Sequence, residues 1–348
     1  MSATPALRPG DRVLVTRLNY LGDVVLSLPL VDAIRRAAPG VEVDYLTRRP
    51  GAELLHGDAR FGEVFRLEGG AAATAALVAR LRARHYRAVI DLYSNPRSAW
   101  LSLLCGARIR VGGSRRARRW FYTDHARKPA SPAVTEVFLA YGEVLGVGGG
   151  VSSPALELPD AERVSARAWM GEHGAAPGGA RPLIGVHPGG KWSVKRWPAE
   201  KFAALVGRLG ERLGASFVLF TGPDERDATE RVAALCGEGA AVLPAAGVRR
   251  VAAAIANLDA MVACDGGIMH VAAAVGTPTV GIFGSSQPEV WFPYGQSGPH
   301  RAAFLPVECR PCHRHVCPLG HTRCLNDLEP GVVAAKVEEV LASRGGKS

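Results

Sequence analysis

The feature that most constrains the fold is a regular alternation of short apolar runs with amphipathic segments, which occurs twice along the 348 residues. The first series predicts strands at Val13–Thr16, Val43–Leu46, Val64–Leu67, Ala88–Leu92 and Ile109–Val111, and helices near 24–37, 72–84, 94–104 and 133–145. The second predicts strands at Leu183–His187, Phe217–Thr221, Ala241–Leu243, Met261–Asp265, Thr279–Phe283 and Ala302–Leu305, and helices near 199–213, 225–236, 248–256, 267–275 and 331–343. Such alternation is typical of βαβ units and a parallel sheet. We therefore predict an α/β protein with two Rossmann-like, doubly wound domains facing a central cleft.

Two Gly- and Pro-rich stretches, at 146–154 and 175–182, interrupt the alternation and flank one amphipathic segment. Stretches of this composition are typical of connections between domains. The predicted organisation is a first domain at 1–160, a connection at 161–182, a second domain at 183–327 and a C-terminal helix at 328–348.

Composition excludes several classes of protein. With 47% hydrophobic and 21% charged residues, the chain has the make-up of a globular protein rather than a disordered one. No stretch reaches the roughly 20 apolar residues of a membrane-spanning helix, and the N-terminus lacks the apolar core of a secretory signal, so we expect a cytoplasmic protein. The formal net charge is +10, of which residues 1–175 carry +7. This excess either indicates an anionic partner bound by the first domain or is a solvated arginine-rich surface.

The loop after the first predicted strand ends in Leu21-Gly22-Asp23. In doubly wound sheets, ligands bind at the carboxyl ends of the strands, where these loops lie. The loop lacks G-x-G-x-x-G, which argues against a nicotinamide-dependent oxidoreductase. A carboxylate near a helix start either caps the helix or serves as a general base, and both interpretations of Asp23 remain open.

A glycine-rich, cationic loop follows the first strand of the second predicted domain, with the sequence HPGGKWSVKRWP at 187–198. Gly189 and Gly190 allow close approach of a ligand to the backbone, and Lys191, Lys195 and Arg196 add three cations. The combination favours a diphosphate-binding loop over the alternative of a polar turn packed around its tryptophans.

Two further loops of the second domain carry small and polar residues at strand ends. Gly266 and Gly267 open a predicted helix whose free N–H groups would favour an anion, with Asp265 before them and His270 one turn into the helix. His270 alone could equally be a satisfied core histidine. Ser285 follows Gly284 and suits either phosphate binding or a helix cap.

The remaining candidates are basic or cysteine-rich. Arg115 and Arg116 lie in the most basic run of the chain and, together with Arg97, could bind an acidic acceptor; a solvated charge run is the alternative. Cys309, Cys312, Cys317 and Cys324 form a C-x2-C-x4-C-x6-C cluster, which suits either a structural zinc site or unligated thiols. The other three cysteines are isolated in apolar segments.

Four strings together resemble glycosyltransferase family 9, the bacterial ADP-heptose–lipopolysaccharide heptosyltransferases. They are RLNYLGDVVLSLPLVDAIR (17–35), HPGGKWSVKRWP (187–198), CDGGIMHVAAAVGTPTVGIFG (264–284) and CRPCHRHVCPLGHTRCL (309–325). The resemblance extends over about 12–344, and the cysteine-rich tail resembles most the heptosyltransferase II subgroup. Gly189, Gly190 and Gly266 depart from the Ser or Thr that family members often carry there.

The resemblance implies a GT-B fold, with the acceptor bound by the first domain, ADP-heptose by the second, and the final helix packing back on the first. It implies Asp23 as the general base, Lys195 as the residue that stabilises the leaving diphosphate, and Asp265, Gly267 and His270 as nucleotide-sugar contacts. We expect inverting transfer to the anionic inner core of lipopolysaccharide, with peripheral contact at the inner membrane. No D-x-D string occurs, so we expect no required cofactor beyond the open question of zinc.

Two alternatives remain open. A family 9 enzyme could use another sugar nucleotide or acceptor, because selectivity depends on a few contacts that no motif reveals. A basic nucleic-acid- or nucleotide-binding α/β protein without transferase activity would also explain the charge. Aromatic residues make up only 7% of the chain and none interrupts 114–119, so we expect no nucleic-acid partner.

Overall fold

The structure, a computed structural model, describes residues 7–113, 116–148, 153–222, 225–294 and 298–343, with backbone only at 116 and 117. The chain divides into two compact units, 1–154 and 155–348. Within the described residues, each unit contains one sheet of six parallel strands with helices packed on it. Among these residues, every helix is too short or too polar to span a lipid bilayer.

The first unit alternates strands and helices from its beginning. Its elements are β1 (Arg12–Thr16), α1 (Leu21–Leu26), α2 (Leu28–Ala37), β2 (Glu42–Thr47), α3 (Arg49–Leu55), β3 (Val64–Arg66), α4 (Ala71–Ala83), β4 (Ala88–Asp91), α5 (Pro96–Leu104), β5 (Ile109–Gly112), a 3-10 helix (Arg116–Phe121), β6 (Asp124–His125) and α6 (Val134–Glu143). The strand order is β3-β2-β1-β4-β5-β6, and Val13 of β1 pairs with both Val43 and Ala88.

The second unit repeats this arrangement. Its elements are α7 (Asp160–Glu172), β7 (Leu183–His187), a 3-10 helix (Ser193–Lys195), α8 (Ala199–Leu213), β8 (Ser216–Leu219), α9 (Arg226–Cys236), a 3-10 helix (Gly237–Gly239), β9 (Ala241–Val242), α10 (Val248–Ile255), β10 (Ala260–Cys264), α11 (Gly267–Ala274), β11 (Thr279–Phe283), α12 (Pro288–Trp291), β12 (His300–Phe304), α13 (Arg323–Asn326) and α14 (Pro330–Ala342). The order β12-β11-β10-β7-β8-β9 is that of the first sheet, counted from β7. The predicted α/β class with two doubly wound sheets is therefore confirmed.

The observed division between the units corrects two expectations. Helix α7, expected in a connection at 161–182, belongs to the second unit, because it packs on α10 and buries Trp169 and Met170. The first unit ends at 154 rather than 160. Arg249 of α10 also pairs with Glu162 of α7 at 2.8 Å.

The C-terminal helix requires a further correction. We expected 328–348 to pack on the first domain, but α14 packs on α8, β10, β11 and β12 of the second unit. Its buried stripe, Val333, Ala334, Val337 and Val340, is part of the apolar core that covers this sheet. An aliphatic stripe predicts that one face of a helix is buried and does not reveal which surface covers it.

Strand order determines where each unit can bind a ligand. In an order of this kind, the connections from the two central strands leave to opposite sides and open a crevice at their carboxyl ends. The central pairs are β1 with β4 in the first unit and β7 with β10 in the second. Asp23 lies just beyond β1, in the first turn of α1. The glycine-rich loop follows β7, and Asp265 follows β10.

Candidate functional site

Asp23 lies at the crevice of the first sheet, in the first turn of α1. Its Oδ2 accepts a hydrogen bond from the backbone N–H of Tyr20 at 2.9 Å, which is the contact of a residue that caps a helix start. Its Oδ1 accepts one from Nη2 of Arg17 at 2.6 Å. The Asp23 side chain is 9% exposed. The interpretation of Asp23 as the N-cap residue is therefore wrong, because the N-cap is Tyr20 and Asp23 is the third residue of the helix. From there its carboxylate accepts from the N-cap backbone, as in a capping box, and is also paired with a cation.

Arg17 is itself held firmly. Its Nη1 donates to the carbonyl oxygen of Leu92, just after β4, at 2.7 Å. The guanidinium lies 4.9 Å from the ring centre of Tyr93 and 5.3 Å from that of Phe138. Because a guanidinium is planar and rigid, these contacts fix the direction of its bond to Asp23. The sequence analysis missed Arg17, since one arginine after a strand carries no motif.

An ion pair lies at the crevice of the second sheet. Nζ of Lys195 is 2.6 Å from Oδ2 of Asp265, and the two side chains are 16% and 3% exposed. The hydroxyl of Ser286 donates to the same carboxylate oxygen. The loops after β7, β10 and β11 thus meet at one carboxylate, and the structure brings together three of the loops that we predicted to form the donor site. Lys191 lies beside them, with Nζ 5.8 Å from the ring centre of Trp192.

The glycine-rich loop is lined by a carboxylate that the sequence analysis did not identify. A Cβ atom at Gly189 would lie 2.4 Å from the carboxyl group of Glu225, and one at Gly222 would meet the same group. Burial alone would raise the pKa of Glu225, but His187, whose Nε2 is 3.0 Å from its Oε2, lowers it. An anion bound at Gly189 would therefore meet a charged carboxylate, whereas a hydroxyl would find an acceptor. No local pattern could have revealed Glu225, which is 36 residues away in sequence.

The backbone of Gly190 contacts Arg196, one of the cations of the same loop. Its carbonyl oxygen accepts a hydrogen bond from Nε of Arg196 at 2.6 Å. A Cβ atom at Gly190 would lie 3.4 Å from Cγ of Arg196. The arginine therefore braces the loop and uses one of its donors to do so.

His270 is a core histidine next to the ion pair. It is 3% exposed, and its Nδ1 lies 2.6 Å from the hydroxyl of Tyr294. Burial lowers the pKa of His270 to about 4, and Lys195 opposes protonation further while Asp265 favours it. The ring is therefore neutral near pH 7 and supplies no positive charge to a phosphate. Gly266 is extended and Gly267 begins α11, as expected.

The cysteine-rich segment lies against the loop after β11. The carbonyl oxygen of Ser285 accepts hydrogen bonds from the N–H groups of Cys312 and His313 at 3.2 and 2.9 Å. His315 stacks on Trp192 of the glycine-rich loop, with ring centres 3.9 Å apart. The cysteine-rich segment, which is distant in sequence from the glycine-rich loop, therefore packs against the candidate donor site.

Gly284 allows the backbone of that loop to approach the glycine-rich loop. A Cβ atom there would lie 2.5 Å from the carbonyl oxygen of Val194 and 2.9 Å from Leu325. This contact explains the glycine next to Ser285 better than phosphate binding does.

The zinc site that we considered for the four clustered cysteines stays a prediction. All seven cysteines are free thiols, and across the described ranges no three His, Cys, Asp or Glu side chains are grouped so that they could hold a metal ion. A tetrahedral zinc site needs four ligands around one point.

The basic residues expected to bind the acceptor are less completely described. Arg97 joins α5 to α4, since its Nη2 donates to the carbonyl oxygen of Glu68 at 2.8 Å and to the hydroxyl of Thr74 at 3.2 Å. Arg116 begins the 3-10 helix at 116–121, and Arg115 lies outside the described residues.

The topology defines a class of protein, the α/β proteins with two Rossmann-like units, and sheets of this order commonly bind nucleotides at the crevice where the buried ion pairs lie. The sequence model of glycosyltransferase family 9 (heptosyltransferase) matches residues 74–323, which is more than half of the chain. The chain belongs to glycosyltransferase family 9.

Two curated relatives are similar over nearly their full lengths. Lipopolysaccharide heptosyltransferase 1 of Pseudomonas aeruginosa is 29% identical over 95% of this chain and 98% of its own. Lipopolysaccharide heptosyltransferase 2 of Salmonella typhimurium is 26% identical over 96% and 99%. These relatives are heptosyltransferases of two types, 1 and 2, so both indicate the same family.

Solved structures confirm the fold. The glycosyl transferase family 9 protein of Veillonella parvula has a TM-score of 0.81 and is 25% identical. The superposition covers 96% of this chain and 98% of the Veillonella chain. The ADP-heptose lipopolysaccharide heptosyltransferase II of Escherichia coli has a TM-score of 0.80, is 23% identical, and is covered to 99% by 96% of this chain.

Proposed function

We propose that this glycosyltransferase moves heptose from ADP-heptose to the inner core of lipopolysaccharide, with inversion at the anomeric carbon. The relatives named for this activity support the substrates. The observation that carries the proposal within the molecule is the position of Lys195, whose ammonium lies 2.6 Å from Asp265 at the crevice of the second sheet. A doubly wound sheet binds nucleotides at this place.

The second unit binds the donor. The ammonium of Lys195 carries three N–H donors, and its pair with Asp265 leaves donors for a diphosphate. Stabilisation of charge that develops on the leaving group is commonly the largest contribution to catalysis. Lys191 and the backbone N–H groups at the start of α11 add to this stabilisation, and Glu225 accepts hydrogen bonds from donor hydroxyls near Gly189.

The first unit binds the acceptor and supplies the base. The acceptor oxygen forms a bond to the anomeric carbon, the bond from that carbon to ADP breaks, and the acceptor proton passes to a carboxylate oxygen of Asp23. Arg17 and the N–H of Tyr20 hold this carboxylate in one orientation. A base that is already oriented loses no conformational freedom when the substrate arrives.

No step of this mechanism requires a metal ion, because Lys195 and backbone N–H groups take the diphosphate charge. The basic first unit suits an acceptor rich in carboxylates and phosphates, and the lipid part of such an acceptor would bring the enzyme to the inner membrane surface.

The donor is tested by thermal unfolding in the presence of ADP-heptose, a UDP-sugar or a GDP-sugar. A ligand at about 100 times its dissociation constant stabilises the folded state by about 2.7 kcal/mol, which raises the melting temperature by several degrees. We expect this rise with ADP-heptose alone. Transfer is then measured with an acyl-chain-free inner-core acceptor, with and without a chelator, and loss of transfer in chelator would refute metal independence. A rise with the UDP- or GDP-sugar instead would refute the proposed donor.

A further inference from the structure

Two exposed tryptophans of the first unit contact the same phenylalanine. Trp100 of α5 is 50% exposed and Trp120 is 64% exposed. Both pack on Phe121, with ring centres 4.9 and 4.0 Å from it. Phe121 is buried with Ala99 and Tyr122, so the two indole rings stand on a rigid base. Two exposed rings on one base form an apolar patch of the kind that marks an interaction surface.

The apolar surface continues along α5. Leu104, one turn after Trp100 on the same side of the helix, is 40% exposed. Leu104 also lines a groove of about 630 Å³ between α4 and α5, whose other walls include Ala71, Ala75 and Val78. The apolar patch therefore extends beyond the two tryptophans, along α5 and onto α4.

The elements that carry this patch contain cations and no anions. Residues 94–121 include seven arginines and neither Asp nor Glu, and α4 at 71–83 adds Arg80 and Arg82, again without an acidic residue. Arg119 is exposed next to Trp120, and Arg82 is exposed where it donates to the carbonyl oxygen of Leu104. Arg82 and Arg119 thus place exposed positive charge beside the apolar patch, whereas Arg80 is paired with Glu63.

We propose that the Trp–Arg face, defined as Trp100, Leu104, Arg119 and Trp120, docks on the surface of an anionic phospholipid bilayer. Indole rings favour the boundary between headgroups and acyl chains, and arginines beside them attract anionic headgroups. The proposal gives a location to the membrane contact in the proposed function and rests on it for its biological use. Single-stranded nucleic acid also stacks on aromatic rings among cations, but Leu104 and the aliphatic groove offer no partner to a base or a phosphate.

The test is co-sedimentation of the full chain with vesicles of phosphatidylcholine alone or mixed with phosphatidylglycerol. We expect binding to the mixed vesicles that weakens as salt is raised, and little binding to phosphatidylcholine alone. The double variant Trp100→Ser/Trp120→Ser should bind at least about tenfold more weakly, and Arg119→Ser about fivefold more weakly. The matched controls are Leu235→Ser and Arg181→Ser, which change an exposed leucine and an exposed arginine of the second unit and should bind like the unchanged protein.

Two further measurements make the outcome decisive. Melting temperatures show whether the tryptophan double variant folds. If it does not, the comparison of vesicle binding between Arg119→Ser and Arg181→Ser decides alone. Transfer to the acyl-chain-free acceptor should be the same in the tryptophan variant and the unchanged protein. If the unchanged protein makes no transfer but binds vesicles through this face, the proposed function fails and the docking surface stands. Equal vesicle binding by the tryptophan variant and the unchanged protein, or binding of single-stranded DNA in place of vesicles, would overturn the proposal.

Discussion

Acidification should destabilise this protein through His270, and the size of the effect follows from its burial. The ring is 3% exposed, and burial lowers the pKa of His270 from an ordinary 6.5 to about 4. Between these two values the unfolded chain binds a proton that the folded chain does not. Stability that is complete above about pH 6.5 is therefore lost as the pH falls, until the folded state is protonated too near pH 4.

The magnitude comes from the two pKa values of His270, about 4 when folded and 6.5 as the ordinary value. At about 1.36 kcal/mol for each pH unit, the free energy of unfolding falls by about 3 kcal/mol over this interval. Asp265 favours protonation of His270 and so reduces this loss of stability, whereas Lys195 disfavours protonation and increases the loss. The pKa of about 4 for His270 already includes both effects.

The perturbation that isolates this effect is His270→Asn, which removes the titrating ring and leaves an amide near the position of Nδ1. The amide cannot bind the proton, so the variant should be less stable than the unchanged protein at pH 7 but lose less on acidification. The difference between the two free energies of unfolding should shrink by about 3 kcal/mol from about pH 7 to pH 4. Urea titrations at several pH values measure it.

The control is Tyr294→Phe, which keeps the buried ring but removes the hydroxyl 2.6 Å from its Nδ1. Because burial is the main cause of the lowered pKa of His270, this variant should lose stability with acid as steeply as the unchanged protein. A difference between His270→Asn and the unchanged protein that stays constant from pH 7 to pH 4 would refute the reasoning.

Three substitutions test the proposed roles in transfer. Asp23→Ala should lower the transfer rate by at least about 100-fold while ADP binding by calorimetry stays unchanged, because the base lies in the first unit and the nucleotide in the second. Lys195→Ala should weaken ADP binding by about tenfold or more, the cost of a lost hydrogen bond to a charged group. Gly284→Ala should lower the free energy of unfolding by about 1–3 kcal/mol in urea titrations, because its Cβ would lie 2.5 Å from the carbonyl oxygen of Val194.

Each of these three expectations has a result that contradicts it. Full transfer by Asp23→Ala would remove this residue as the base, and unchanged ADP affinity in Lys195→Ala would remove the lysine from the donor site. If Gly284→Ala is as stable as the unchanged protein, the loop after β11 can move away from Val194 without a measurable loss of stability. Gly207→Ala is the control for the last, since a Cβ there meets no atom within 4 Å.

The elements that could be predicted from sequence are those whose signal is local. Strand β7 was predicted at Leu183–His187 and has those bounds, because five consecutive residues are buried on both faces of a central strand. Helix α8 was predicted at 199–213, where Pro198 precedes it and Gly214, with a φ of 62°, ends it. A proline before a helix and a left-handed glycine after it are readable from the chain alone.

The contacts that could not be predicted join positions far apart in sequence. Glu225 beside Gly189 and His315 stacked on Trp192 depend on how loops of one sheet edge are arranged in space. The same limit explains α14, where an aliphatic stripe indicated burial but not the covering surface. For Asp23, local pattern gave a position near a helix start, whereas only the structure placed it at the third residue of α1 and revealed Arg17 as its partner.

The way the carboxylate of Asp23 is held has a consequence for how the chain can diverge. Of the groups that fix it, the N–H of Tyr20 and the carbonyl oxygen of Leu92, which anchors Arg17, belong to the peptide backbone. Every amino acid except proline carries both groups, so these two contacts depend on the path of the backbone at positions 20 and 92 and not on the side chains there. A substitution of Arg17 would disturb the carboxylate of Asp23 directly. No other side chain has a rigid, planar set of N–H donors that could contact both this carboxylate and the carbonyl oxygen of Leu92.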